Sequence, residues 1–136
     1  MLFHYCDKMT GEDIAREGVI RANPVTLHAD MLGRDEGFDT PPVVWLTVSD
    51  TVDMTVYYKL IAAGWNLNPG DIVRVVFHDE YPCEPLDVWS DRVNISADTW
   101  KWNIATAQMV GSSWTDWRIV DHDIQAADWL RIEPVE

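Results

Sequence analysis

The stretch Leu2-Phe3-His4-Tyr5-Cys6, running on through Asp7-Lys8-Met9-Thr10-Gly11-Glu12-Asp13-Ile14 to Gly18, decides how the rest of the chain is read. Its first five residues are apolar or aromatic apart from one imidazole, which reads as a strand. Alternation along a strand places His4 and Tyr5 on opposite faces, so one turns into a core and the other outward or into a cleft. Either His4 is a core histidine satisfied by a neighbour, or the strand begins a site. Thr10 is placed to cap the helix that follows, with Asp13 at the third helical position in a capping-box arrangement. Met9 before that cap and Ile14 four places after it form a hydrophobic staple. Gly18 stands where a left-handed residue ends a helix. The opening is therefore strand, helix and turn, with Val19-Ile20 leading into a short extended piece.

From Asn23 to Pro42 the chain carries Asn23-Pro24, Gly33, Gly37 and Pro41-Pro42 and has no clear periodicity. Connections of that length in compact domains are more often functional or mobile. Val43-Val44-Trp45-Leu46-Thr47-Val48 is the clearest strand, and its near-continuous apolarity predicts a central strand covered on both faces. Ser49 or Asp50 caps a predicted helix to about Ala63, stopped by Gly64, and Asn68-Pro69-Gly70-Asp71 is a turn. In the strand Ile72 to Phe77, Ile72, Arg74, Val76 and His78 share one face while Val73, Val75 and Phe77 share the other. A short helix is expected around Leu86 to Trp89. Trp100 to Val110 reads equally as a helix or as a strand with a turn. Trp117–Val120 and Trp129–Ile132 read as closing strands joined through Asp121-His122-Asp123. The element order is an α+β pattern.

Composition narrows the function classes. A length of 136 residues with 47% hydrophobic content and eight tryptophans describes one globular domain over residues 1–136. No apolar run is long enough for a membrane span, and the start lacks the basic region and apolar stretch of a secretory leader. Cys6 and Cys83 form no motif, so a reduced, cytoplasmic setting is expected. The net charge is −13, from 23 acidic and 10 basic residues. Nine acids fall in the first fifty residues, eight in the next fifty and six in the remainder, which argues against an acidic tail and for a surface negative nearly all round. Such a surface repels phosphates, so nonspecific nucleic-acid binding is not expected. It serves solubility, or it acts as an acidic decoy for a basic groove on another protein.

The chain has no Gly-rich phosphate loop, no His-Glu-x-x-His and no paired Cys-x-x-Cys, and no metal is expected. Asp121-His122-Asp123 reads as a solvated turn, lacking partner spacing for a metal. The tryptophans serve as core and interface bulk or as stacking platforms for a sugar or base.

Together these segments resemble small bacterial and phage proteins that open with an apolar–aromatic–His–Tyr–Thr strand and a helix ending in Gly. The matching residues are Leu2-Phe3-His4-Tyr5-Cys6, Gly18, Pro42-Val43-Val44-Trp45-Leu46-Thr47, Asp53-Met54-Thr55, Val73-Arg74-Val75, Trp117-Arg118-Ile119-Val120 and Trp129-Leu130-Arg131-Ile132-Glu133. The opening is similar in turn to the His-Tyr-Glu branch of the ADP-ribosyltransferase-like superfamily. That resemblance implies an α+β fold with a twisted, mostly antiparallel, split sheet and one or two packed helices. It implies NAD as substrate and transfer of ADP-ribose to a protein or nucleic-acid acceptor, in a phage- or defence-related role.

The same resemblance implies His4 as the ribose ligand with Tyr5 beside it, and the Trp45 to Thr47 strand end as the nicotinamide wall. The late glutamate of the family has no obvious counterpart. Asp53, Asp123 and Glu133 are the candidates, and Asp53 is the one assigned. The chemistry is consistent, because breaking the nicotinamide–ribose bond builds positive charge that an acid stabilises. Arg74 is a candidate for the pyrophosphate. Bland readings stand beside these: a salt bridge for Arg74 and a helix N-terminal acid for Asp53. The reading from a different class is a small acidic inhibitor or interaction protein without catalysis, a nucleic-acid mimic or a blocker of a host protein complex.

Overall fold

The computed structural model describes residues 1–22, 41–51, 71–97, 100–101 and 113–135. In chain order these form β1 (Leu2–Asp7), α1 (Lys8–Glu17), β2 (Val19–Ile20), β3 (Val44–Thr47), β4 (Ile72–Phe77) and β5 (Glu84–Pro85). They continue with α2 (Leu86–Arg92), β6 (Trp117–Val120), β7 (Ile124–Gln125) and β8 (Arg131–Pro134). Six strands make one open sheet in the order β5-β6-β3-β1-β4-β8, with every pairing antiparallel. β2 and β7 form a separate two-stranded ribbon. The fold is α+β, with an open antiparallel sheet and two helices among the described residues.

The sheet separates two cores. Leu2, Cys6, Val44, Leu46, Val75, Phe77 and Val120 face α1 and the ribbon, where Ile14, Ile20 and Ile124 close over them. On the opposite face, Val43, Trp117 and Ile119 pack against Leu86 and Trp89 of α2. Phe3, Tyr5, Ile72 and Val76 form a third cluster on that second face, beside the tryptophan-rich one. β3 is thus covered on both sides, as its apolar run predicts.

The expected cap of α1 is corrected. β1 pairs with β4 through Asp7, opposite Ile72, so Asp7 is the last extended residue, at φ −71° and ψ 163°. Its carboxylate, in a residue only 4% exposed, accepts the Thr10 amide at 3.0 Å and the Thr10 hydroxyl. Thr10 therefore sits inside the first turn, and Asp7 is the cap. The staple built around a Thr10 cap does not form, with Met9 59% exposed. Gly18 does end the helix, at φ 72°. The last strand is shifted as well: Leu130 donates its amide to Val76 and the regular pairing begins at Arg131. A 3-10 turn over Ala126–Asp128 takes up the preceding residues.

The helix predicted from Ser49 or Asp50 to Ala63, most of the irregular stretch before Pro42, Asn68-Pro69-Gly70 and most of Trp100–Val110 lie outside the described residues. No helix among the described residues is long and apolar enough to cross a membrane.

Gly11 lets α1 lie directly on the sheet, since a Cβ there would collide with Val73 Cγ2 and touch Cys6 Sγ. Helix propensity alone makes Gly11→Ala stabilising by about 1 kcal/mol. Overpacking costs ~1–3 kcal/mol and decides the sign. Gly11→Ala is expected to lower the urea midpoint, and Val73→Ala in the same background to recover part of the loss.

Candidate functional site

β1 and β4 share six consecutive register pairs, from Leu2 opposite Phe77 to Asp7 opposite Ile72. On its other side β1 meets β3 at one pair only, Phe3 opposite Thr47. Beyond that pair the ladder stops, and the two strands form a fork at the middle of the sheet. His4 is the next residue of β1, and its Nδ1 lies 2.9 Å from the Trp45 carbonyl. A carbonyl only accepts, so Nδ1 carries the hydrogen and the neutral ring keeps its lone pair on Nε2. No described residue hydrogen-bonds Nε2. Burial outweighs the bond to Trp45 and holds the His4 pKa below 6.5. The imidazole is therefore a fixed, neutral group of known tautomer.

The other assigned residues project from the opposite face of the sheet. Tyr5 is buried and donates its hydroxyl to the Ser49 carbonyl at 2.9 Å. Thr47 is 1% exposed, and its Oγ1 accepts the Ser49 amide at 3.1 Å. The Trp45 ring turns away from His4 and packs edge-on against Trp117 at 5.5 Å and Trp89 at 6.4 Å. Trp45 thus meets His4 through its backbone, and its ring belongs to the tryptophan core.

Arg74 is a strut. Its Nε donates to Glu133 at 2.8 Å, its Nη1 donates to the Asp50 carbonyl at 2.8 Å, and its guanidinium lies 4.7 Å from the Phe3 ring centre. Glu133 is shared, accepting also from Arg131 at 2.8 Å. Arg131 and then Arg74 hold the Glu133 carboxyl below its ordinary value. Asp50, Arg74, Glu133, Pro134 and Val135 line an open pocket of about 390 Å3 on this face.

The fold therefore brings His4 to the Trp45 backbone and brings Tyr5, Thr47 and Arg74 to the Ser49-Asp50 turn, on two different faces. Glu133 stands two strands from β1, bound to arginine. Asp123 accepts the Ala22 amide at 2.8 Å, at the end of the β2–β7 ribbon. Asp53 lies outside the described residues. Ser49 and Asp50 enter as carbonyl acceptors, a role that no residue type announces. Among the described residues no three His, Cys, Asp or Glu side chains gather as a metal site. Comparison of the chain with protein families, curated proteins and solved structures gave no match.

The lowered His4 pKa carries a pH dependence. Unfolding returns the ring to its ordinary value of 6.5, so the unfolded chain binds the extra proton first as pH falls. The stability tied to neutral His4 is complete above that value and is lost as pH drops through the folded-state value. In His4→Asn the side-chain amide can replace the Nδ1 donor and does not titrate. Urea midpoints measured on both sides of pH 6.5 are expected to fall less in His4→Asn than in the parent protein.

Proposed function

We propose that this protein is an NAD-dependent, ADP-ribosyltransferase-like protein that transfers ADP-ribose to a macromolecular acceptor, with His4 as the ribose ligand. The observation that carries the reading is the fork between β1 and β3, with the imidazole held on the Trp45 carbonyl just past the last register pair. A neutral ring in that position offers Nε2 as an acceptor for a ribose hydroxyl, and fixing its orientation in advance lowers the cost of ordering a substrate.

His4 keeps one polar atom, Nε2, without a hydrogen bond to any described residue, and in this reading that atom takes the substrate. Tyr5, Thr47 and Arg74 hold the Ser49-Asp50 turn that leaves β3. Asp53 remains the proposed acid that stabilises charge building on the ribose.

The second reading, an acidic interaction protein without catalysis, has its own support. Arg16, Arg21, Arg74, Arg92 and Arg131 are engaged with neighbouring carboxylates, and Arg118 donates to the carbonyls of Thr115 and Trp117. The 23 acids exceed the 10 bases by thirteen, so the surface stays strongly negative whichever of them pair.

Nicotinamide release from NAD separates the two. The parent protein is expected to bind and slowly consume NAD. His4→Asn, which can keep the bond to Trp45 and lacks Nε2, is expected to lose at least about a hundredfold in turnover, within the range for a positioned catalytic group, with a melting temperature close to the parent's. Absence of NAD binding by the parent, or full turnover in His4→Asn, overturns the enzyme reading.

A further inference from the structure

Two registers fix the side of the sheet from which Arg118 of β6 projects. It stands opposite Leu46 of β3, and both Leu46 and Val120, two residues further along β6, belong to the core that faces α1. Alternation therefore puts Arg118 on the α1 side. His4 lies between Leu2 and Cys6, members of the same core, and projects from that side too. The pairing of Phe3 with Thr47 sets Leu46 on the row of His4. His4 and Arg118 thus share a row across β3, with about 10 Å between their backbones at two strand spacings. Both are half-buried, while Leu46 between them is fully covered.

The Arg118 guanidinium is held by backbone. Its Nη1 donates to the Thr115 carbonyl at 2.8 Å and to the Trp117 carbonyl at 3.0 Å, which sets the plane of the group. Nε and Nη2, the edge through which an arginine grips two oxygens at once, donate to no described residue. Arg92 shows that edge in use, since its Nε and Nη2 both bond the Glu84 carboxylate. Arg16, Arg21, Arg74 and Arg131 have carboxylate partners as well. Among the described residues Arg118 is the arginine with none, in a chain of 23 acids and 10 bases. Two carbonyls orient a cation without neutralising it. The edge is left charged, aligned and open.

We propose that Arg118 binds a phosphate group through this edge. A phosphate offers paired oxygens to the fork and supplies the negative charge that the carbonyls lack. For the identity of the ligand the inference rests on the NAD reading. The phosphate is then the pyrophosphate, held by Arg118 on the face of His4. Arg74, on the opposite face, already bonds Glu133 and the Asp50 carbonyl.

The test is NMR titration of the parent protein, reading the Arg118 Nε–H and the Leu46 and Arg118 amides. The probes are ADP-ribose, adenosine, inorganic phosphate and acetate. ADP-ribose is expected to shift the Arg118 Nε–H and adenosine to leave it unmoved, with inorganic phosphate binding there more tightly than acetate. Arg118→Met, which keeps a long stem and lacks the fork, is expected to weaken ADP-ribose binding at least about tenfold. Arg118→Lys, a charge without the paired donors, is expected to recover only part of that loss. Arg16→Gln, an exposed arginine on α1, is expected to change nothing. Should Arg118→Met lower the melting temperature, Arg118→Lys and the Nε–H shift of the parent still decide. Phosphate that shifts Arg118 while ADP-ribose fails to bind supports the phosphate site and overturns the NAD reading. ADP-ribose that binds with the Arg118 Nε–H unmoved, or equally well in Arg118→Met, overturns the assignment and leaves the NAD reading standing. Acetate binding as tightly as phosphate, or no shift at Arg118 with any probe, also overturns the proposal.

Discussion

The continuous ladder between β1 and β4 is the constraint from which the rest of the described structure follows. Six register pairs lock every residue of β1 against β4, and alternation then leaves no choice about which side chain goes where. Asp7 becomes the end of a strand and so the cap of α1. Tyr5 comes to lie opposite Arg74, and Phe3 beneath its guanidinium. With one edge of β1 fully committed, its other edge touches β3 at a single pair and parts from it. The fork at His4 is thus the counterpart of the tight pairing beside it.

Trp45 shows how one residue can serve both faces of such a sheet. Its indole fills the core under α2 while its carbonyl fixes the imidazole that lies on the side of α1. Removing the indole and removing the His4 contact are therefore different perturbations of the same residue, the first a loss of packing and the second a loss of orientation. The arginine network divides labour in a similar way. Arg74 is partly exposed and beside an open pocket, and it ties β4 to β8 through its Nε and to the turn after β3 through its Nη1.

Much of this was legible in the residues because it depends on short-range pattern. The strand faces of Ile72 to Phe77, the β-rich run at Val43 to Val48, the stop at Gly18 and the opposed faces of His4 and Tyr5 all follow from periodicity and turn chemistry. The Asp7 cap was missed because Thr10 and Asp13 satisfy the capping pattern equally well locally. Only the pairing of Asp7 with Ile72, across the sheet, decides where the strand stops. The same applies to Arg74 and Glu133: their opposition in the β4–β8 register is a long-range fact that composition cannot convey.

The position of β1 within the sheet also has a consequence in time. The strand that carries His4 precedes both of its partners, and Leu2 cannot pair until Phe77 has been synthesised. Ribosomes add about 5–20 residues per second. For several seconds a run of Leu, Phe, Tyr and Cys therefore waits without its ladder. Contacts this distant in sequence also close slowly after release. The strand that organises the finished sheet is, during its making, the segment most exposed to pairing with the wrong neighbour.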